Sequence, residues 1–349
     1  MISNRSERCA HVLNHALHHL FENHPDVYLL GEDILDPYGG AFKVSTGLSS
    51  RWPERVLTTP ISEAAITGIA IGMALRGLRP IVEIMFGDFI TLCADPIINY
   101  ATKFRQMYDD QVRCPIVIRT PMGGRRGYGP THSQSMERLF LSVSGLTILA
   151  PSRLHDLGAA LIHATLHGEE PTLFVENKVM YSEIHTPPQD GRIGLFACRE
   201  FGAAPLQTIA LSLTEFEYSD VTLLCYGGMA PIALQAAEEL LIEHEISCEV
   251  IVPCRIKPFS LEGLGEALER SGRLVVVEEG PLTGGWAAEV AARVQEQLWA
   301  RLRGPIRRIA ARDGIIPSTR VLEDLVLPGK QALITSITSM LRGGSVLTA

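Results

Sequence analysis

Short, continuous apolar segments alternate with helix-length segments along almost the whole chain. Strands are predicted in the first half at residues 27–32, 55–59, 80–86, 114–120, 146–150 and 171–176. Helices are predicted between them at residues 6–22, 62–76, 95–107, 136–143 and 154–167. Continuous apolar strands separated by helices indicate a parallel sheet that is covered on both faces. The alternation therefore predicts an α/β fold.

One segment, residues 182–220, interrupts this alternation. It contains Pro187, Pro188, Gly191, Pro205 and the acidic sequence TEFEYSD, which are typical of a linker or crossover. Beyond it, strands are predicted at 221–226, 247–252, 273–278 and 306–310, with helices at 230–243, 261–269 and 287–301. A length of 349 residues suits two domains of roughly 150 residues each. We expect a first domain at residues 1–185, a linker at 186–218 and a smaller α/β domain at 219–349.

Charge and composition argue against several classes of protein. The formal net charge of −8 is unlike that of a nucleic-acid binder, which normally presents a basic face. No apolar run reaches the roughly 20 residues that a membrane span requires, and the N-terminus lacks a secretory signal. The seven cysteines form no CxxC pair, as expected of reduced thiols. We therefore expect a cytoplasmic protein without a nucleic-acid or membrane partner.

Polar or glycine-rich segments follow four of the predicted strands. Glu32 ends the first strand, and Glu63 opens the helix after the second. Phe89 comes shortly after the third strand, and His132 follows a glycine-rich segment, residues 123–129, after the fourth. Ligands bind beyond the carboxyl ends of the strands in open α/β sheets. The sequence therefore predicts a site at this edge.

Each candidate side chain allows more than one interpretation. Glu63 opens an almost entirely apolar helix, so it is either a first-turn carboxylate favoured by the helix dipole or a desolvated group that holds a proton. His132 lies beside flexible glycines and is either a site residue or a loop histidine bonded to a neighbouring carbonyl. Arg125 and Arg126 either meet an anion or belong to a solvated loop. The residues alone leave these alternatives open.

The sequence lacks the motifs that are typical of several other enzyme classes. His11 and His15 are spaced i, i+4 on a predicted helix, but no carboxylate completes an HExxH pattern, and we expect no metal site there. The chain contains no GxGxxG after a strand, no GxxxxGK[ST] and no GxSxG. Enzymes with nucleotide-binding loops and α/β-hydrolases are therefore disfavoured.

Several long segments closely resemble a known family. They are GEDILDPYGGAFKVSTGL, TTPISEAAITGIAIGMALRGLRPIVE, GRRGYGPTHSQS, GLTILAPS and PTLFVENKVMY, then RIKPFSLEGL, RLVVVEEGPLTGGWAAEVAARV and IIPSTRVLEDLVLP. In this order they resemble the beta subunits of pyruvate, branched-chain 2-oxo acid and acetoin dehydrogenase complexes. The resemblance covers nearly the whole chain. It implies a transketolase-like pyrimidine-binding domain followed by a transketolase C-terminal domain.

The resemblance also implies roles for particular residues. Glu63 matches the glutamate that hydrogen-bonds N1′ of the aminopyrimidine ring of thiamine diphosphate, and Phe89 matches an aromatic that packs on that ring. Glu32 matches an acidic residue near the reaction centre. His132 matches a histidine that handles protons and orients the acyl intermediate or the incoming lipoyl group. Gly87 departs from the family, in which this position is often bulky.

Partners follow from the same resemblance. The chain has no GDG motif, which in two-subunit members lies on an alpha subunit and holds the diphosphate through Mg²⁺. The resemblance therefore implies an α2β2 heterotetramer with the two beta chains in contact, and docking of a lipoyl acyltransferase. Some relatives bind a structural potassium ion through backbone carbonyls, and residues 164–169 are the matching region. The implied activity is 2-oxo acid decarboxylation with acyl transfer to lipoamide, in the presence of the alpha subunit only.

Two other functions are compatible with the same residues. The first keeps thiamine diphosphate but changes the acceptor, as in a two-subunit split transketolase or acyloin-type enzyme that passes a two-carbon unit to a carbonyl or sugar. The second is a non-catalytic scaffold, which retention of Glu63, Phe89 and His132 together disfavours.

Overall fold

The computed structural model describes residues 7–342, and these residues form two seven-stranded sheets. Helices flank both sheets, so the predicted α/β class is confirmed. The chain crosses between the sheets two more times than the sequence indicates, because a short strand from the second half joins the first sheet and the chain then returns to the second.

The first sheet is parallel apart from that added strand. Its strands are β1 (Val27–Gly31), β2 (Val56–Thr58), β3 (Arg79–Glu83), β4 (Val117–Met122), β5 (Thr147–Leu149), β6 (Thr172–Asn177) and the antiparallel β12 (Arg255–Lys257). They lie in the order β12-β5-β6-β4-β3-β1-β2. The carboxyl ends of β6, β4, β3 and β1 are therefore neighbours along one edge of the sheet.

Helices pack on this sheet through their apolar faces. They are α1 (Cys9–Asn23), α2 (Leu48–Arg51), α3 (Glu63–Leu75), α4 (Phe104–Met107) and α5 (Leu157–His167). Two predicted helices differ in kind. Residues 95–107 form a π-helix, Pro96–Ala101, followed by α4, and residues 136–143 contain only the short 3-10 helix Glu137–Phe140. Apolar spacing reports which side chains are buried, and it does not determine the hydrogen-bond register of the backbone.

The second sheet includes part of the predicted linker. Its strands are β7 (Arg192–Ile193), β8 (Phe196–Phe201), β9 (Thr208–Ser212), β10 (Val221–Cys225), β11 (Cys248–Pro253), β13 (Leu274–Pro281) and β14 (Arg307–Ala311), in the order β14-β13-β10-β11-β9-β8-β7. Residues 186–218 thus hold three strands, and β9 pairs antiparallel with β11. The prolines that indicate a linker lie before and between these strands, where turns require no ladder hydrogen bonds.

In the described part of the chain, five α-helices accompany the second sheet. They are α6 (Met229–His244), α7 (Leu264–Ser271), α8 (Trp286–Leu298), α9 (Arg320–Val326) and α10 (Lys330–Leu341). The sequence did not indicate α9 or α10. Within residues 7–342, no helix is both long enough and apolar enough to cross a bilayer. All seven cysteines are free thiols.

Candidate active site

Two carboxylates lie together where β1 and β2 end. Glu63 is the first residue of α3 and is only 6% exposed. Glu32 follows β1, is also buried, and accepts a hydrogen bond from the Ser62 backbone N–H at 3.2 Å. Burial, followed by the negative charge of Glu63, raises the pKa of Glu32. The two acidic groups therefore share one electrostatic environment.

The Glu63 side chain keeps its hydrogen-bonding capacity. Among residues 7–342, no group donates a hydrogen bond to its carboxylate, whereas its backbone carbonyl accepts from the Thr67 hydroxyl at 2.8 Å and the Cys93 thiol at 3.5 Å. Burial raises the pKa of Cys93 to about 12, which keeps that thiol protonated as a donor. Glu63 is nearly buried as a residue, but its carboxylate oxygens are not among the fully enclosed atoms that lack a partner. The geometry therefore leaves Glu63 available to a ligand.

An aromatic cluster surrounds His132. The 3-10 helix Gly87–Cys93 follows β3 and carries Phe89, whose ring centroid lies 5.3 Å from that of His132. The ring of Phe86 is 4.7 Å from the imidazole, in an edge-to-face arrangement. The imidazole Nδ1 is 3.0 Å from the Thr131 hydroxyl. His132 is therefore held among rings and is only partly exposed.

The same 3-10 helix connects the carboxylates with the imidazole. Cys93 at its end contacts the Glu63 carbonyl, and Phe89 in its middle contacts His132. Gly87 begins the helix, and a Cβ atom there would lie 2.3 Å from Cγ of Met122 in β4. This close approach gives a physical reason for the glycine at a position that is often bulky in the family.

Residues of the second domain form hydrogen bonds with the loop that carries His132. We call residues 123–135 the His132 loop. Its Gly124 N–H donates to Glu279 at 2.5 Å, and its Gly127 N–H and Ser133 hydroxyl each donate to Glu323 at 2.9 Å. Neither carboxylate was among the site residues predicted from the sequence. Glu279 had a detectable signal because it ends an apolar strand, as Glu32 does, but Glu323 had none.

Lys178 also contacts the His132 loop through its side chain. It follows β6, is fully buried, and its ammonium group donates to the backbone carbonyl of His132. The ammonium also lies 5.3 Å from the centroid of the Phe86 ring. Burial lowers the pKa of Lys178 to about 8, against the opposing charges of Asp88, Glu279 and Glu323. This lysine was also missed from the sequence.

The two arginines of the loop are bonded to the protein. The Arg125 guanidinium donates to the Pro328 carbonyl at 2.5 Å, and it lies 3.4 Å from Asp324. Arg126 donates to the Lys178 carbonyl at 2.8 Å. Both are partly buried, so neither belongs to a freely solvated loop. In this arrangement they fix the loop to its surroundings.

The histidines of α1 and the 164–169 carbonyls have other contacts. His15 pairs with Glu7 at 2.9 Å, and the region of the chain described here contains no group of three or more His, Cys, Asp or Glu placed to hold a metal. The carbonyls of Thr165 and Gly168 face the Arg79 guanidinium at 3.4 and 2.8 Å. A cationic side chain therefore already occupies part of the region matched to a potassium site.

Comparisons with known proteins agree with this geometry. The family model "Transketolase, pyrimidine binding domain" matches residues 8–183, and "Transketolase, C-terminal domain" matches residues 213–333. The chain is 37% identical to "Pyruvate dehydrogenase E1 component subunit beta-1, mitochondrial" of Arabidopsis thaliana, over 90% of this chain and 84% of that protein. It is 33% identical to "Acetoin:2,6-dichlorophenolindophenol oxidoreductase subunit beta" of Cupriavidus necator, over 95% and 96%.

Solved structures support the fold. The chain resembles the structure "Split gene transketolase, inactive beta4 tetramer" with a TM-score of 0.74 and 20% identity, covering 96% of this chain and 99% of that one. At this identity the likeness concerns architecture alone. The sequence matches are closer, and they extend over both domains. The chain therefore belongs to the transketolase-like family of beta subunits of 2-oxo acid dehydrogenase E1 components.

Proposed function

We propose that this chain is the beta subunit of a thiamine-diphosphate-dependent E1 component that decarboxylates a 2-oxo acid and transfers the acyl group to lipoamide. The observation that carries the proposal concerns Glu63, which is only 6% exposed and whose carboxylate has no partner within residues 7–342. Its backbone carbonyl contacts Cys93 at the end of the 3-10 helix Gly87–Cys93, and Phe89 of the same 3-10 helix packs against His132. The two relatives named above are a pyruvate dehydrogenase subunit and an acetoin oxidoreductase subunit, so they do not define a single substrate.

The residues present fit thiamine diphosphate. When bound, this cofactor supplies the electron sink that decarboxylation requires. Glu63 would hold N1′ of its aminopyrimidine ring by sharing a proton, which suits a carboxylate with no competing hydrogen bond. Phe89 would pack on the ring. Glu32, whose pKa is raised by burial and by Glu63, would stay close to the reacting groups and hold a proton more readily than an exposed glutamate.

His132 is the proposed proton-transfer residue of the acyl-transfer step. An imidazole exchanges protons near neutral pH, and its neighbours Phe86 and Phe89 restrict its motion. The Lys178 ammonium holds the backbone of the same residue. This arrangement orients the imidazole while leaving it partly exposed to an incoming substrate.

An alpha-type partner would complete the site in an α2β2 heterotetramer. The helix that Glu63 opens has an exposed face of small and apolar residues, namely Ala64, Ala65, Gly68, Ile69 and Gly72. A Cβ atom at Gly68 or Gly72 would meet nothing within 4 Å, so another chain can approach the backbone closely. Ile61, immediately before the helix, is 83% exposed. We assign the diphosphate and Mg²⁺ to the partner, since this chain lacks the GDG motif.

The remaining parts of the proposal concern potassium, the lipoyl partner, the compartment and the acceptor. A structural potassium ion at residues 164–169 stays a prediction, and the Arg79 guanidinium contacts the carbonyls of Thr165 and Gly168 in that region. Docking of a lipoyl acyltransferase on the C-terminal domain stays a prediction. Free thiols at all seven cysteines agree with a reducing compartment such as the cytoplasm. Transfer to a carbonyl or sugar acceptor is not favoured, because the sequence relatives named above are dehydrogenase and oxidoreductase subunits.

The substitution Glu63→Gln tests the proposal in the enzyme reconstituted with its alpha subunit and thiamine diphosphate. The amide cannot share a proton as the carboxylate does, so we expect turnover to fall by about 100- to 10,000-fold while assembly is retained. Carbon dioxide release would be measured with pyruvate and branched-chain 2-oxo acids as substrates, and aldehyde release with acetoin.

A matched control replaces another helix-start carboxylate by its amide. Asp156 caps α5 by accepting the Ala159 N–H at 2.9 Å, and Asp156→Asn should leave turnover near that of the wild type because asparagine caps equally well. Near-normal activity of Glu63→Gln in the assembled enzyme contradicts the proposed role.

A further inference from the structure

We propose that Glu323, in helix α9 of the second domain, is a positioning residue for His132. Its single carboxylate holds the His132 loop on both sides of the histidine. The inference rests on the proposed role of His132 in acyl transfer. Glu323 itself touches neither the imidazole nor the carboxylates near β1 in any contact of the described chain.

The hydrogen bonds span the histidine in sequence. Oε2 of Glu323 accepts the Gly127 N–H, five residues before His132, and Oε1 accepts the hydroxyl of Ser133, the residue after it, both at 2.9 Å. Hydrogen bonds to a charged acceptor are stronger than those between neutral groups. Because both bonds end on one rigid carboxylate, the two sides of the loop cannot move apart without losing one of them.

Burial makes this arrangement costly unless its bonds are kept. Glu323 is fully buried, yet its hydrogen bonds come from neutral donors, a backbone N–H and a hydroxyl. The nearby charge of Lys178 compensates it electrostatically, and that lysine holds the His132 carbonyl. A buried carboxylate pays a large desolvation cost when its donors are removed. The Glu323 carboxylate and the Lys178 ammonium therefore both oppose displacement of the His132 loop.

Packing confines the loop to the same surface. A Cβ atom at Gly124 would lie 2.7 Å from the Leu327 side chain, just beyond α9. Gly127 has φ of +73°, a conformation that favours glycine, and an added Cβ would lie 3.4 Å from the Arg320 backbone nitrogen at the start of α9. The His132 loop therefore packs directly against α9, and Glu323 of that helix accepts hydrogen bonds from the loop.

The test combines loop exchange with kinetics in the full chain and the reconstituted enzyme. Hydrogen–deuterium exchange would be followed in peptides covering residues 123–135 for the wild type, Glu323→Ala, Glu323→Gln and Ser133→Ala. Glu249→Ala is the matched control, because it removes an equally buried carboxylate of the second domain that bonds Arg270 and makes no contact with the loop.

We expect Glu323→Ala to speed exchange of the loop by about tenfold or more and to lower kcat/KM by about 100-fold, since small misplacements of a reacting group have effects of that size. Glu323→Gln should recover much of both, because an amide can accept from Gly127 and donate to the Ser133 oxygen. Ser133→Ala should have an intermediate effect. Glu249→Ala should lower the thermal stability without accelerating the loop.

Three results overturn the inference. They are unchanged loop exchange in Glu323→Ala, an activity loss no larger than that of Glu249→Ala, and no recovery in Glu323→Gln. Failure of the proposed function is separable, because it would appear as absent 2-oxo acid turnover in the wild-type enzyme. Exchange of the loop does not depend on turnover and would still decide whether Glu323 positions it.

Discussion

Removal of Arg119 should destabilise the first domain more than removal of any surface ion pair. Arg119 lies in β4 and is only 2% exposed. It forms a bidentate pair with Glu176 in β6, with Nε–Oε1 at 2.9 Å and Nη2–Oε2 at 2.6 Å, and its Nη1 donates to Glu83 at the end of β3. One cation therefore bridges two buried carboxylates across three adjacent strands.

The expected magnitude follows from what the substitution leaves behind. In Arg119→Met, Glu83 and Glu176 face each other without the guanidinium, and breaking a buried pair in this way costs about 3–5 kcal/mol. The corresponding drop in Tm is about 6–20 °C for domains of this size. Burial already raises the pKa of Glu83, and Glu176 adds to this while Arg119 opposes it. Without Arg119 the native state should hold extra protons, so the loss should be larger at pH 8 than at pH 5.

Urea unfolding of the full chain, followed by circular dichroism at pH 5 and pH 8, measures this effect. Arg301→Met serves as control, because Arg301 pairs with Glu269 at 2.9 Å in an exposed position and should cost less than about 1 kcal/mol. The triple variant Arg119→Met/Glu83→Gln/Glu176→Gln should recover most of the loss. A cost below about 1 kcal/mol for Arg119→Met, or one independent of pH, would refute the reasoning.

The consequence reaches the candidate site. Glu83 packs closely against the loop between β1 and α2, since a Cβ atom at Gly40 would lie 2.4 Å from its Oε1. Displacing Glu83 should therefore disturb the loop between β1 and α2. In the reconstituted enzyme, Arg119→Met should lose activity at temperatures where the fold is still intact.

Three further predictions concern single residues. Burial raises the pKa of Glu278 from 4.5 to about 7, so its contribution to stability is fully present below pH 4.5 and is lost as the pH rises through 7. Across this pH range the free energy of unfolding measured with urea should include a fall of about 3 kcal/mol, and Glu278→Gln should remove that fall. Gly87→Ala should lower the free energy of unfolding by about 1–3 kcal/mol, because Met122 must move to admit the methyl group, and a loss near zero contradicts the packing. His132→Ala should slow decarboxylation or acyl transfer more than it weakens thiamine diphosphate binding measured by titration calorimetry, and unchanged rates would remove it from the site.

The sequence alone determined the fold class, the positions of most strands and the edge at which the candidate site residues lie. These features follow from local patterns: apolar segments of strand length, helix-length segments between them, and polar residues where a strand ends. Glu32, Glu63, Phe89 and His132 were found this way and through the family resemblance, and the structure places all four at the carboxyl edge of the first sheet. Their proposed roles stay predictions.

The tertiary structure alone decided which residues hold those four in place. Glu323 bonds Gly127 and Ser133 across 196 and 190 residues, and Arg119 meets Glu176 across 57. Strands β7–β9 were not predicted from the sequence, because β11, the strand that joins them to the rest of the sheet through β9, lies further along the chain. Local periodicity records only whether a side chain is buried. The identity of its partner depends on how distant segments pack, and that information appears only in the folded chain.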